Sequence, residues 1–428
     1  MKNPRLATIG DVVDAHLCTG CGVCSYLRSD ALQMVDVPQV GRRPLPIVGV
    51  SGGAARQLRE DVGGDAVAAC PGRRLTHPPG ALEGAPFGGE WGPILALWEC
   101  WARDPEVRHR GSSGGVVTAL AAHAVTSGRA AGALQIQASS DDPLRNETVL
   151  NTTYQEIVAA AGSRYAPASP CERLDLVESA AGPCVIVGKP CDIAAVRHAA
   201  EHRPILAERV GLTIGIFCAG TPSTRGTEQV VRSLGIEPGE VTRVDYRGEG
   251  WPGRFRVVAR DGTTASTSYE RSWGALTKHR QWRCLICPDH TGEFADLGVG
   301  DPWYRPVTDG EDGRSLVVVR TERGAAALAA ALEDGALGGQ ELGLERLPQS
   351  QPGLEATRGA VWGRLQTLRL MRLRRPRRSS HCRRTSPRRS CRGTSEATGA
   401  PLRGRARGRT ASAGSTRRSS KWACQSPP

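Results

Sequence analysis

Three cysteines near the N-terminus stand at a spacing that suits a metal cluster. Cys18, Cys21 and Cys24 follow one another at intervals of three, with glycines between them. Such a run is typical of a [4Fe–4S] site more than of zinc, because small glycines let backbone amides approach the sulfides. Ferredoxin runs end in a cysteine followed by proline, and Cys70 is the residue in reach with that neighbour. We predict that these four cysteines hold one cluster, with zinc or unrelated thiols as the alternatives.

A second group of cysteines lies further along the chain. Cys284 and Cys287 form a C-x-x-C pair, which by itself suits zinc, a redox dithiol or an iron–sulfur cluster about equally. Cys191 and Cys218 each follow a predicted buried strand, and α/β sheets gather their sites at the carboxyl ends of parallel strands. We predict a second [4Fe–4S] set here, with zinc or packing as the alternatives. Cys184, at the head of an apolar strand, is interpreted as a packing residue.

Two loops carry residues that suit phosphates and flat rings. Residues 111–115 are rich in glycine and serine and run into an apolar helix. Ser112 or Ser113 is expected to cap that helix, leaving the free amides of its first turn to face an anionic pyrophosphate. Residues 161–167 offer a hydroxyl, a cation and an aromatic ring. An ordinary capped helix and a plain surface turn are the respective alternatives.

These motifs occur in one specific order along the chain. Their order resembles the coenzyme F420 hydrogenase/dehydrogenase beta-subunit family, which includes the 7-hydroxymethyl chlorophyll a reductases. The resemblance covers residues 1 to about 320. Its most diagnostic pieces are residues 112–115 and the run from Cys284 and Cys287 through Asp289 to Asp296 and Asp301.

The resemblance implies a flavoprotein with FAD and one or two [4Fe–4S] clusters. Such a protein would transfer electrons between coenzyme F420, or another hydride carrier, and one-electron carriers. The expected partners are F420 or a ferredoxin-type carrier and a partner redox subunit. No catalytic acid or base is nominated. By similarity, the residues expected to bind the flavin or its substrate are Ser112, Ser113, Gly114, Gly115, Ser163, Arg164, Tyr165 and Lys189. Lys189 departs from the family pattern, because many members carry a small or hydroxyl residue at this position.

Two other functions compete with this one. Within the same class, the alternative is a ferredoxin-dependent reductase of an organic substrate. From another class, the alternative is a zinc-containing protein that binds nucleic acid through its basic tail.

The elements that must position these residues follow an alternating pattern from residue 94 onward. Short apolar runs predict strands at 94–98, 132–136, 184–188, 212–217, 254–259 and 315–320. Helices are predicted at 115–126, 153–161, 193–200, 226–234 and 324–332. This alternation predicts an α/β fold with a central mixed or parallel sheet and flanking helices.

Composition shifts divide the chain into three parts. We predict a ferredoxin-like iron–sulfur domain at 1–85, an FAD-binding α/β domain with the second iron–sulfur site at 86–345, and a C-terminal extension at 346–428. The net charge is +13, but residues 372–428 hold 17 Arg and Lys against one acid, so this basic tail carries the positive charge. Its Arg, Ser, Pro and Gly content predicts disorder. It is interpreted as a solvated tail, with nucleic-acid contact or an altered reading frame as alternatives.

Length and hydropathy exclude several classes of protein. The 428 residues are 39% hydrophobic, which is enough for real cores and excludes a wholly disordered chain. The longest apolar runs fall short of the roughly 18 residues that span a bilayer. No apolar signal segment follows Met1, so a cytoplasmic protein that does not contact a membrane is expected.

Overall fold

The computed structural model describes residues 6–47, 62–77, 91–308, 310–371, 373 and 377–378. By its internal contacts the chain divides at Ser386, and all described residues belong to the first part. The predicted disordered tail lies outside the described residues, apart from 373 and 377–378. The predicted boundary at residue 85 also lies outside them, and the three-part division stays a prediction.

The described strands pair into one large sheet, one small sheet and two short pairs. In chain order they are β1 (Leu32–Val37), β2 (Gly41–Pro46), β3 (Arg74–Leu75), β4 (Ala96–Ala102), β5 (Gly132–Ala138), β6 (Asn146–Asn151), β7 (Cys184–Gly188), β8 (Val210–Ile216), β9 (Val241–Asp245), β10 (Arg254–Ala259), β11 (Thr264–Ser268), β12 (Leu297–Gly300), β13 (Ser315–Val319), β14 (Leu337–Leu342) and β15 (Arg377–Arg378).

The described helices lie between these strands. In chain order they are α1 (Ile9–Asp14), α2 (Val23–Leu27), α3 (Gly64–Ala68), α4 (Pro105–Arg110), α5 (Val116–Thr126), α6 (Tyr154–Ala159), α7 (Leu174–Glu178), α8 (Pro190–Ala200), α9 (Pro204–Arg209), α10 (Thr224–Ser233), α11 (Tyr269–Leu276), α12 (Glu322–Glu333), α13 (Arg346–Ser350) and α14 (Pro352–Leu370). Short 3-10 helices cover Pro170–Arg173, Pro238–Glu240, Thr277–His279 and Trp282–Ile286. None of the described helices combines the length and the apolar character needed to cross a bilayer.

The large sheet has eight strands in the order β14-β4-β13-β12-β8-β7-β5-β6. Its four inner strands β12, β8, β7 and β5 run parallel to one another. Strands β6, β13, β4 and β14 are added antiparallel to their neighbours. The sheet is therefore mixed, and the predicted α/β class with a central mixed sheet is confirmed.

Helices cover both faces of this sheet, as the apolar run of β7 requires. Val185 packs in one core with Leu120 of α5, whereas Ile186, the next residue, packs in a second core with Ile193 of α8. A strand that is buried on both faces reads as a continuous apolar run. Every residue of β7 is buried, and so is every residue of β13.

The N-terminal part packs against elements from distant parts of the chain. Cys18, Cys24 and Cys70 share a core with Ile286, which ends a 3-10 helix, and with Leu368 of α14. The two predicted cysteine sets therefore belong to neighbouring regions of the fold.

Most predicted elements are confirmed, and two strands, 184–188 and 254–259, have the predicted bounds. The other predicted elements are present with ends moved by a few residues. The sequence analysis predicted none of nine described strands, most of them rich in polar residues or glycine: β1, β2, β3, β6, β9, β11, β12, β14 and β15. Pairing with neighbours, such as β14 with β4, holds these strands where their own residues do not favour a strand.

Candidate functional site

The first cysteine set is gathered by a glycine-rich loop. Gly20 and Gly22 adopt φ values of +77° and +89°, which residues with side chains avoid, and Gly22 is the N-cap residue of α2. A Cβ on Gly22 would lie 2.7 Å from the backbone nitrogen of Glu172. The glycines therefore let the loop turn and also let it approach the neighbouring 3-10 helix.

The four thiols of this set lie close enough to influence one another. Cys18, Cys21, Cys24 and Cys70 are between 5% and 8% exposed. Burial raises the pKa of Cys24 well above its ordinary value, and the charges of the other three raise it further. Burial also raises the pKa of Cys70 to about 12, with added contributions from Cys21 and Cys18. Buried thiols with raised pKa values stay protonated at neutral pH unless a cation takes the proton's place.

Backbone amides point at these sulfurs. The amide of Gly20 donates to Cys18, and the amide of Gly72 donates to Cys70; both contacts lower the thiol pKa. Donors of this kind stabilise thiolate ligands and tune iron–sulfur centres. Cys171, which sequence reasoning left unassigned, donates to Cys21, and this contact is the main reason that the pKa of Cys21 is lowered.

The second cysteine set lines one cavity. Cys191, Cys218, Cys284 and Cys287 all border it, although they lie up to 96 residues apart in sequence. Burial raises the pKa of Cys218 to about 12, and the charge of Cys284 adds to this effect. The amide of Thr221 donates to the Cys284 sulfur at 3.4 Å. The predicted set is therefore brought together by the fold.

The two sets adjoin each other. Thr19, between the first two cysteines of the first set, lines the cavity of the second set. Arg283 lines the same cavity and donates to the carbonyl oxygen of Pro71, the residue after Cys70.

The number and arrangement of the cysteines indicate which kind of metal group they fit. In the part of the chain that the structure describes, no three His, Cys, Asp or Glu side chains are arranged to hold a metal ion. One zinc ion needs four ligands at about 2.0–2.3 Å from a single point. A [4Fe–4S] cluster makes a different demand, because each of its four irons takes a thiolate of its own. Two quartets of thiols, the first buried and the second partly buried, with amides aimed at their sulfurs fit that demand.

Lys189 lies with the cysteines. Its ammonium donates to a carboxylate oxygen of Asp192 at 2.6 Å. Burial opposes its charge, but Asp192 and the thiols of Cys191 and Cys218 together raise its pKa above the ordinary value. These contacts connect Lys189 to the second cysteine set, and its predicted role toward a flavin or substrate stays a prediction.

The two predicted flavin loops lie side by side. The Ser112 hydroxyl accepts a hydrogen bond from the backbone N–H of Ser163 at 2.6 Å. The Ser113 hydroxyl bonds instead to that of Ser315, at 2.8 Å, at the start of β13. Ser315 also accepts from the amide of Gly114 at 2.9 Å. The loop at 111–115 is thus joined both to the sheet and to the loop at 161–167.

The predicted serine cap of α5 is wrong. Gly115, with φ of +70°, is the N-cap residue of α5, and no side chain of the described residues caps the helix. The hydroxyls of Ser112 and Ser113 are turned toward Ser163 and Ser315 instead. The first-turn amides of α5 therefore have no side-chain cap, which is the condition for an anion site at a helix start.

Arg164 is anchored inside the protein. It donates to the carboxamide oxygen of Asn146 and to the carbonyl oxygens of Pro143, at 2.6 Å, and Arg145, at 3.2 Å. Its guanidinium also lies 5.4 Å from the centre of the Tyr246 ring. The side chain therefore orients the backbone beside Ser163 and Tyr165.

Replacing Arg164 is expected to cost stability. Arg164→Ala leaves the acceptors of Pro143 and Asn146 without their donor, so the free energy of unfolding should fall by about 2–3 kcal/mol. Urea unfolding of anaerobic protein measures this loss. Arg260, which is 70% exposed, gives the control Arg260→Ala, for which a change under about 0.5 kcal/mol is expected. Equal stability of the two variants would contradict the anchoring role.

A cluster that sequence reasoning missed lies next to these loops. Arg247, 4% exposed, forms a two-pronged ion pair with Asp301, both N···O distances being 2.8 Å. Its guanidinium lies 4.3 Å from the centre of the Tyr269 ring, and Trp251 stacks on Trp303 with ring centres 5.4 Å apart. The stretch at 247–253, which has three glycines and Trp251, is the signal that could have indicated it.

Close backbone contacts connect this cluster to the loops. The amide of Gly250 donates to the carbonyl oxygen of His109 at 3.1 Å. A Cβ on Gly248 would lie 2.9 Å from the carbonyl oxygen of Arg110, the residue before the loop at 111–115. The aromatic cluster therefore lies beside the start of that loop.

The fold and the site together define an α/β protein that combines two cysteine sets with a pair of glycine- and serine-bearing loops. Residues 97–174 match the family model described as coenzyme F420 hydrogenase/dehydrogenase, beta subunit N-term, and residues 183–343 match the model of its C terminus. The matches cover more than half of the chain, which belongs to this family. They include both loops and the second cysteine set, and they begin after the first.

Individual relatives agree with the family assignment. The chain is 28% identical over 257 residues to the coenzyme F420 hydrogenase subunit beta of Methanococcus voltae. This match covers 59% of this chain and 85% of the relative. The chain is 25% identical over 241 residues to the F420-dependent formate dehydrogenase 1 subunit beta of Methanococcus maripaludis, covering 55% of this chain and 58% of that one.

A solved structure shares the fold. A chain of the F420-reducing [NiFe] hydrogenase complex from Methanosarcina barkeri superposes with a TM-score of 0.52 at 22% sequence identity. The superposition covers 67% of this chain and 97% of that chain.

Proposed function

We propose that this protein is an FAD- and iron–sulfur-dependent oxidoreductase that exchanges electrons between coenzyme F420 and one-electron carriers. Its relatives are named as F420 hydrogenase and F420-dependent formate dehydrogenase subunits, which supports F420 as the hydride carrier. Because those names denote subunits, we also propose a partner redox subunit for this chain.

The observation that carries the proposal is the meeting of the two cysteine sets. Eight cysteines from five separate stretches of the chain form two quartets that share Thr19 and Arg283 at their boundary. Core packing alone does not account for backbone amides aimed at the sulfurs. Adjacent clusters would give electrons a path through the protein.

The loops at 111–115 and 161–167 are proposed to bind FAD. The uncapped amides at the start of α5 would face the pyrophosphate, and a glycine at position 114 keeps this backbone free of side chain. Tyr165 lies within the second loop, and the aromatic cluster of Tyr269, Trp251 and Trp303 lies beside it; these rings would stack on a flat ring system.

Each cofactor would supply one part of the chemistry. A flavin takes up a hydride as two electrons and releases them singly, whereas iron–sulfur clusters pass one electron at a time. The protein's own contribution is to hold both groups, keep water away from the buried thiolates and set the local charge through Lys189 and Asp192.

Anaerobically purified full-length protein tests the proposal. We expect flavin absorption together with a broad iron–sulfur shoulder, stoichiometric FAD, and iron and acid-labile sulfide for two clusters. Reduced F420, NADH and reduced ferredoxin are then compared as electron donors. Bleaching by reduced F420 at the highest rate is the expected result.

The other outcomes separate the alternatives. Fast bleaching by ferredoxin alone would favour a ferredoxin-dependent reductase of an organic substrate. A colourless protein without acid-labile sulfide would overturn the proposed function.

A further inference from the structure

Arg283 is a buried cation whose charge has no partner in the described protein. Arg283 is only 2% exposed. One nitrogen, Nη2, donates to the carbonyl oxygen of Pro71 at 3.3 Å. Nε and Nη1 have no hydrogen-bond partner among the described residues. None of the ion pairs in the described ranges involves Arg283.

Three other buried arginines in the described ranges have carboxylate partners, and a fourth, Arg320, donates both of its terminal nitrogens to carbonyl and hydroxyl oxygens. Arg247 pairs with Asp301, Arg314 with Glu99, and Arg358 with Glu293. Burying a charge without a counter-charge is unfavourable, because no nearby opposite charge offsets the free energy lost on desolvation. A negatively charged group beside Arg283 would offset this desolvation of its guanidinium.

The position of Arg283 indicates what that group is. Arg283 directly precedes Cys284 and lines the cavity bordered by the second cysteine set. The carbonyl oxygen that accepts its hydrogen bond belongs to Pro71, which directly follows Cys70 of the first set. The guanidinium therefore lies between two quartets of thiols, each of which is anionic once it holds iron.

We propose that Arg283 is a positioning residue that places one positive charge between the two cysteine sets and raises the reduction potential of the cluster held by each. This inference rests on the proposed function, because it requires both clusters. Adding one electron makes a cluster more negative, and a fixed nearby cation stabilises that state. No bond forms or breaks, and no proton is moved.

The test is a redox titration followed by electron paramagnetic resonance on anaerobic full-length protein. Arg283→Met removes the charge and retains the volume, whereas Arg283→Lys retains the charge. In Arg283→Met we expect the reduction equilibrium of both clusters to shift about tenfold toward the oxidised state, or 59 mV for a one-electron couple. Arg283→Lys should shift by less. Arg271→Met, at an exposed position on α11, is the control and should not shift.

Iron and sulfide contents are measured on the same samples. If wild-type protein holds no clusters, the proposed function fails before Arg283 is tested. If Arg283→Met keeps both clusters at wild-type potentials, the role of Arg283 is overturned. If Arg283→Met loses one cluster, the potential of the remaining cluster is measured and should still fall, and an unchanged value overturns the proposal. Arg283→Gln, which keeps an amide donor, repeats the comparison should Arg283→Met fail to fold.

Discussion

Cys284→Ser is expected to lower the iron content by about four atoms per chain, together with an equal amount of acid-labile sulfide. Cys284 lines the cavity of the second cysteine set, and its sulfur accepts a hydrogen bond from the amide of Thr221. A serine hydroxyl is nearly the same size but does not ionise at neutral pH, so it is a poor ligand for iron. Iron and sulfide assays on anaerobically purified protein measure the loss.

A second cysteine provides the matched control. Cys184 is fully buried at the start of β7, outside both sets, and Cys184→Ala should keep the wild-type iron content. The first set should also keep its iron in Cys284→Ser, because its four cysteines, the proposed ligands, lie on other elements. If Cys284→Ser retained all iron and sulfide, Cys284 would be removed from the proposed ligands.

Gly114→Val is expected to release most of the flavin. A Cβ on Gly114 would lie 2.8 Å from the carbonyl oxygen of Cys100 and 2.8 Å from the nitrogen of Ser315. Both are backbone atoms of sheet strands, so the loop has to move rather than its neighbours. Moving it breaks the hydrogen bond from Gly114 to the Ser315 hydroxyl and shifts the start of α5. FAD per chain, measured after gel filtration, should fall at least tenfold.

Two comparisons separate flavin loss from general unfolding. Gly359 lies in α14 with open space where its Cβ would be, so Gly359→Val should keep its flavin. Ser112→Ala removes the hydroxyl that accepts from Ser163 and adds no atoms, so a smaller flavin loss is expected. Iron content should stay normal in all three variants. Normal FAD occupancy in Gly114→Val would contradict the placement of the flavin phosphates at this loop.

The resemblance noted in the motifs is confirmed by the family matches, and its extent is better defined. Those matches run from residue 97 to 174 and from 183 to 343. The first cysteine set at 18–70 lies before them, so its assignment depends on its own spacing, burial and amide contacts. The iron content of Cys18→Ser would test that set in the same way as Cys284→Ser tests the second.

Local patterns in the sequence carried much of the fold. The apolar run at 184–188 predicts a strand with the observed bounds, because a strand that is buried on both faces needs apolar residues at consecutive positions. The spacing of Cys18, Cys21 and Cys24 likewise predicts neighbouring sulfurs, since a turn of a few residues suffices to bring them together. Strand β14, with two glycines and polar residues, has no such pattern and forms through its pairing with β4.

Other features depended on residues far apart in the chain. The sequence predicted that Ser112 or Ser113 caps a helix. Their hydroxyls instead form hydrogen bonds with Ser163 and Ser315, which lie 51 and 202 residues away. Arg164 looked free to meet a ligand, but three distant acceptors hold its guanidinium.

By itself, the amino-acid sequence determined the α/β class, the family and the two groups of cysteines, because periodicity, motif order and spacing are local properties of the chain. Only the tertiary structure decided that the two cysteine sets adjoin, that Arg283 lies between them with no carboxylate partner in the described ranges, and that Arg247 and Asp301 form a buried pair near the loops. These are contacts across dozens to hundreds of residues. They form only when the helices pack on the sheet, so short-range sequence patterns do not predict them.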